Sequence, residues 1–453
     1  MITQNREKEN TQKQIRTAMK ELKISKHLRS SNIRKSCGIS ASQVFQFLLL
    51  LVFQGKNLFR FLNSKYKEQA VSKNTYYRFL AEPTYNWKQF LLLLAVRVIS
   101  AFDALTRPER AKVLILDDTI VSRNRSSKVE LLAKVYNHVI HKYQKGFTLL
   151  TLGWSDGYSF IPVCFNMLSS AKESNRYQNE SVGIDHRTSG YKSRMESIMK
   201  KTDAAVLLIQ RALNAGILAD YVLMDTWFTT EPMVKAILSE GLDVIGMVKQ
   251  LKQQYIYKGR EYTLPKLRRF MQHENGDNIM GSIIVMTKKE HIPVKIVFVR
   301  NRNRKSQCLY LLSTDCSLCE SEVVRLYGNR WSIEVFFKAS KSLFKLGTEF
   351  QSRSYDAIVG HTAIVFTRYI LIEWIRRNKN DWKSCGELFY MFCDDIQDIT
   401  LSNALQSLMA LLVENLELST SDIISVIKCK LLLWISSQPA FVQGLFPVLL
   451  WES

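Results

Sequence analysis

Residues 327–341 read YGNRWSIEVFFKASK. Tyr327, Arg330, Glu334, Lys338 and Lys341 stand at i, i+3, i+7, i+11 and i+14, a spacing that puts them on one face of a helix, with Ile333, Phe336 and Phe337 on the other as a core stripe. A carboxylate flanked by cations and a phenol suits phosphate chemistry, with Arg as a bidentate fork and Lys as a point charge. The plainer reading of Glu334 and Lys338 is an i,i+4 helix pair worth about 0.3–0.5 kcal/mol, which leaves the Tyr and Arg spacing unexplained. Two further acids close apolar runs: Asp118 ends VLILDD, and Asp225 ends YVLMD. A charge at the end of a buried strand is costly unless it is paired or binds metal; a turn-capping Asp is the ordinary alternative. Asp117 adjoins Asp118, and strand alternation does not separate them, because both faces of this run read as buried.

These residues need a scaffold that gathers distant positions. Val113–Asp118 reads as a buried strand, and Phe147–Trp154 and Phe160–Met167 as a hairpin turning at Ser155-Asp156-Gly157. Ser169–Lys192 reads as a polar, mobile loop and Met195–Asn214 as an amphipathic helix. A strand at Tyr221–Asp225, a helix at Glu231–Leu238 stopping at Gly241 and a strand at Val244–Val248 follow. Strand-like runs at Ser282–Met286, Val294–Val299 and Leu309–Leu312 precede one long helix from near Cys319 through Glu334. Without the strand-rich piece, the order is strand, hairpin strands, helix, strand, helix, strand, helix. That is the order of an α/β ribonuclease-H-like mixed sheet, in which sites form at the carboxyl ends of neighbouring strands. The expected divisions are a helical basic N-terminal DNA-binding region (1–108), the first part of the catalytic core (109–249), a β-rich insertion (250–317), the rest of the core (318–377) and a helical C-terminal region (378–453).

Tyr-x2-Arg-x3-Glu-x6-Lys resembles the signature of the IS-four family of bacterial insertion-sequence transposases, within the DDE superfamily. Tyr327, Arg330, Glu334 and Lys341 match its four positions, and LILDDT and VLMDTWF look like its two Asp motifs. The resemblance runs from about Val113 to Leu371 and implies a ribonuclease-H-like fold. It implies Asp118, Asp225 and Glu334 as catalytic and metal-binding carboxylates, with Asp118 preferred to Asp117 because it directly precedes Thr119. It implies two Mg²⁺ ions per site, with Mn²⁺ as a substitute, and DNA or phosphate contacts from Tyr327, Arg330, Trp331, Lys338 and Lys341. Trp331 would stack on DNA near the transposon end; a buried helix Trp is the alternative. The implied function is cut-and-paste transposition on double-stranded DNA, terminal inverted repeats and target alike, by a homodimer. A ribonuclease-H-like nuclease or resolvase, or a domesticated protein that only binds DNA, are the competing readings.

Bulk properties agree with a polyanionic partner. The 453 residues carry 63 Lys+Arg against 41 Asp+Glu, a net charge of +22, and basic groups displace counterions from a phosphate backbone. Length argues for more than one domain. The apolar stretches Val44–Phe53 and Phe90–Val96 fall short of the ~20 residues that span a bilayer. Met1–Lys35 shows no apolar segment of a signal peptide. Eight scattered cysteines suit a reducing cytoplasm, which the resemblance makes a bacterial one, and the lone pair Cys316-x2-Cys319 argues little for zinc. His138-x2-His141 lies among Lys134, Lys142 and Lys145, so a DNA-facing basic segment is preferred to a metal site. Tyr76, Tyr77 and Arg78, on a basic helix, could touch DNA or join the core. Leu405–Val413 and Leu431–Ile435 could serve dimerisation or a local core.

Overall fold

A computed structural model describes residues 11–64, 71–107, 109–138, 140–250, 253–273, 278–301, 307–379, 382–394 and 429–434. Leu405–Val413 and most of the expected C-terminal region lie outside the described residues. Six helices come first: α1 (Thr11–Glu21), α2 (Ile24–Ser30), α3 (Ala41–Leu50), α4 (Leu58–Leu62), α5 (Lys73–Ala81) and α6 (Trp87–Asp103). Their starts are chemically marked. Ser40 and Gln43 form a capping box on α3, and the Asn57 and Asn86 side chains accept from Arg60 N and Gln89 N at the starts of α4 and α6. Tyr76 on α5 is buried and stacks on Phe47, with ring centroids 4.7 Å apart. It is therefore core, while Arg78 is exposed.

The sheet begins with β1 (Val113–Ser122), β2 (Ala133–Asn137), β3 (Lys142–Ser155) and β4 (Phe160–Leu168). Helices α7 (Ser189–Ser197) and α8 (Lys201–Asn214), strand β5 (Tyr221–Met224), helix α9 (Glu231–Ser239) and strand β6 (Asp243–Val248) follow. The expected helix over 195–214 is thus two helices, broken before Lys201. The strand-rich piece comprises β7 (Gln254–Tyr257), β8 (Arg260–Thr263), the short α10 (Leu264–Leu267), β9 (Gln272–His273), β10 (Ile279–Thr287), β11 (Pro293–Arg300) and β12 (Cys308–Ser313). The chain then makes α11 (Glu320–Gly328), α12 (Trp331–Ser342) and α13 (Tyr355–Lys379).

Strand order across the core is β4-β3-β1-β5-β6. β1, β5 and β6 are parallel, and β3 is antiparallel to both β1 and β4. This mixed α/β arrangement is consistent with a ribonuclease-H-like core. The strand-rich piece continues the same sheet, because β12 pairs antiparallel with β6 and leads on to β11, β10, β7 and β8. It also carries a small core of its own around Tyr255, Leu264, Leu267 and Phe298. The first four residues of β1 are fully buried, as a central strand covered on both faces requires.

α13 is the axis of the helical layer. Its length and composition would let it cross a membrane, yet the whole apolar window is buried inside the protein. It packs on α6, α5, α3 and β4. Arg368, fully buried on α13, donates to the carbonyls of Leu48, Leu49 and Phe344 and pairs with Glu349. One side chain thereby ties the N-terminal helices to the segment following α12.

Candidate active site

The last paired positions of β1 and β5 are Leu116 and Met224. One residue further along each strand stand Asp117 and Asp225. Residues at equal register in adjacent parallel strands share a face of the sheet, so Asp117 and Asp225 are lateral neighbours and Asp118 points the other way. Asp225 Oδ1 accepts from the backbone N–H of Trp227 (2.9 Å) and Phe228 (3.2 Å). This turn fixes the carboxyl just past the strand end.

Helix α12 crosses over β1 and supplies the opposing wall. Asp117 Oδ2 lies 2.9 Å from Arg330 Nη1, and Arg330 Nη2 donates to Glu334. The sequence favoured Asp118 as the strand's site carboxylate. The structure instead brings Asp117 to Arg330, whose guanidinium also pairs with Glu334, while Asp118 pairs with Lys201 at the start of α8. The reason is the two-residue period of the strand: the pleat sends adjacent acids to opposite faces. Thr119, on the Asp117 side, accepts from Lys341 Nζ at 2.5 Å.

The expected single helix through Glu334 is two helices that meet at Asn329 and Arg330, with Arg330 as the residue preceding α12. Tyr327 ends α11 half-buried, its ring 5.8 Å from the Arg330 guanidinium. Ile333, Phe336 and Phe337 form the buried stripe as expected. Lys338 is exposed on α12. Trp331 is 64% exposed, so the alternative of a buried helix Trp does not hold. It lines a cleft of about 390 Å³ with Tyr158 and Arg376.

Electrostatics single out Asp117. Burial is the largest cause pushing its carboxyl up, Arg330 opposes it and Asp225 adds like-charge repulsion, leaving it at about 7. Burial also pushes the Tyr327 phenol up to about 12, so it remains a hydrogen-bond donor, and burial lowers the Lys341 ammonium. Sequence reasoning missed Lys201, whose ammonium lies 3.5 Å from the centroid of the part-exposed Trp227 ring. The only available signal was Trp227 itself, two residues after Asp225.

A family model described as a DDE superfamily endonuclease matches residues 43–273, and one described as a transposase DDE domain matches residues 200–371. The chain belongs to the DDE superfamily of endonucleases. No curated protein matches it. The first model spans Asp117 and Asp225, and the second spans Asp225 and Glu334, so this DDE endonuclease carries all three acids within the matched region. Its family makes it a nuclease-type enzyme of the transposase kind.

Hard-oxygen donors suit Mg²⁺. Among the described residues, no three His, Cys, Asp or Glu side chains form a metal cage, and the Arg330 guanidinium pairs with both Asp117 and Glu334. The Asp117–Asp225 pair nevertheless fits a divalent ion. An Asp kept near 7 by burial and a like charge is a carboxylate that a cation would ionise.

Proposed function

We propose that this DDE endonuclease is a transposase of the insertion-sequence type. It binds terminal inverted repeats, cuts at them and joins the freed ends to target DNA. The lateral pairing of Asp117 with Asp225 beneath Arg330 and Glu334 carries this reading. Asp117, Asp225 and Glu334 would hold two divalent ions, with Glu334 turning off Arg330 to do so. When bound, such ions would activate the attacking oxygen and stabilise the departing one in an in-line displacement.

The remaining roles belong to the chain's own groups. Arg330, released from the carboxylates, offers its fork to a phosphate that enters between β1 and α12. Tyr327 donates its phenolic hydrogen. Lys341, seated on Thr119, supplies a second positive charge on the same side as Asp117. Trp331, with its exposed ring, stacks on an unpaired base beside the cut. Asp118 is already satisfied by Lys201 and takes no part in binding the ions. A homodimer on two DNA ends follows from the family resemblance, as does a bacterial cytoplasmic setting.

The test is cleavage of DNA bearing the element's own terminal repeats in Mg²⁺. Asp117→Asn and Asp225→Ala should each abolish cutting, by at least about 10³-fold, with end binding retained. Asp118→Asn should stay within about ten-fold of the native protein. Chelation should stop the reaction and Mn²⁺ restore it. Full cutting by Asp117→Asn would sink the assignment.

A further inference from the structure

Two clefts lie end to end along the last residues of β1. The first, about 480 Å³, runs past Asp118, Thr119, Gln144, Lys341 and Gly347. The second, about 490 Å³, continues past Arg125 and Gln351, and the two share Ser122, Gly347 and Thr348. Together they form a trough floored by the end of β1. The Arg123 side chain donates to the Gly347 carbonyl and fixes one rim. The β2–β3 hairpin forms the other rim, locked to the floor where Arg123 N donates to Lys145 O and Lys145 N donates to Asn124 Oδ1.

The charge of this region is one-sided. From Thr119 to Ser155 the chain carries Arg123, Arg125, Lys128, Lys134, Lys142 and Lys145, and its one acid is Glu130. Glu130 is buried and consumed by Arg194. On the hairpin, Lys134 pairs across with Lys145 and Tyr136 with Tyr143, so all four share one face. The two tyrosine rings meet edge to face at 5.1 Å, and Lys134 lies 4.6 Å from the centroid of the Tyr143 ring. Both tyrosines are exposed. Exposed phenols among cations have no part in a core; they match the phosphate and sugar oxygens of a nucleic acid. The unbroken β1–β3 register puts Tyr143 and Lys145 at the same parity as Thr151, the partner of Asp117. Tyr143 lies eight residues beyond Thr151, roughly 26 Å along the strand, or about eight base pairs of duplex.

We propose that duplex DNA leaves the active site along β1, lies over this trough, and is gripped by the β2–β3 hairpin within about one helical turn of the cut. The proposal rests on the transposase reading and adds the direction in which the DNA runs and the residues that hold it. Arg125, Lys134 and Lys145 meet phosphates. Tyr136 and Tyr143 meet sugar and phosphate oxygens.

The experiment is binding of the full chain to a fluorescent random-sequence duplex of about 30 base pairs over a salt series. Arg125→Gln with Lys134→Gln should weaken binding about ten-fold and flatten the log–log salt slope by about 1.8, two contacts' worth. Tyr136→Ser with Tyr143→Ser should weaken binding about five-fold with little change of slope. Lys235→Gln, on the exposed side of α9, should match the native protein. A photoreactive residue replacing Tyr143 should crosslink to the duplex. Native-like affinity and slope in both double variants, with an unchanged melting temperature and no crosslink, would overturn the trough while leaving the transposase reading intact. A native chain that binds no duplex at all would remove both. A crosslink to single-stranded DNA alone would overturn the duplex assignment.

Discussion

Asp117 and Asp118 differ in chemistry only through the direction of a side chain. One acid faces Arg330 and Asp225, and the other faces Lys201. Neither composition nor spacing separates them, because the run before them is buried on both sides. Register does, once β1 and β5 are known to be parallel neighbours. By contrast, Tyr327, Arg330, Glu334 and Lys341 were legible from spacing, and the structure gathers them along one side of β1. The functional weight of Lys341 is the next residue to measure. Its ammonium is partly buried on Thr119 and stands where a phosphate would need a charge. Lys341→Ala should slow strand transfer about ten-fold or more in a single-turnover assay; an effect no larger than that of Lys235→Gln would remove it from the site.

The elements around the site are held by buried charge and by close backbone approach. Glu196 at the end of α7 receives both Arg211 of α8 and Lys88 of α6. Burial alone would raise its carboxyl, but the two cations outweigh burial and hold it down at about 2. Its folded value lies below the usual 4.5, so the stability it contributes is present above pH 4.5. That stability is lost as pH falls from there towards 2. Glu196→Gln should therefore cost about 3–5 kcal/mol at neutral pH, since Lys88 is left buried without its counter-charge, and should flatten the acid limb of a pH–melting profile. An unaltered acid limb would assign that loss to other carboxylates. At the foot of the hairpin, an added Cβ on Gly146 would lie 2.5 Å from Val121 O. Gly146→Ala should force β1 and β3 apart there and destabilise the fold by about 1–3 kcal/mol in urea titration. A neutral result would mean that the two strands can separate at this point without cost.

The whole molecule joins a helical layer to one long sheet through α13. The sequence suggested separate stretches, yet the strand-rich segment extends the central sheet and Arg368 stitches the N-terminal helices to the chain after α12. Removing that guanidinium in Arg368→Ala strands Glu349 in the interior, where it also meets His361. We expect a loss of about 3–5 kcal/mol, with amide exchange quickening in α3 as well as α13. Exchange confined to α13 would show that the N-terminal layer is held by apolar packing alone.

The sequence by itself marked the core strands and pointed to a chemistry. Period-two and period-3.6 patterns marked the core strands and the α12 stripe, and the helical spacing of Tyr, Arg, Glu and Lys marked phosphate chemistry. It could not determine which acid of the Asp117–Asp118 pair faces the site, that α11 and α12 break at Arg330, or that Trp331 is exposed. Nor could it determine that Arg123, Arg125 and Lys341 line a trough along the end of β1, with the exposed Tyr136 and Tyr143 on the hairpin beside it. These depend on register between strands distant in the chain and on which face a neighbour covers. A pattern read along one strand is equally satisfied by either face when both are buried. Only the pairing of β1 with β5, and the crossing of α12 above them, breaks that symmetry.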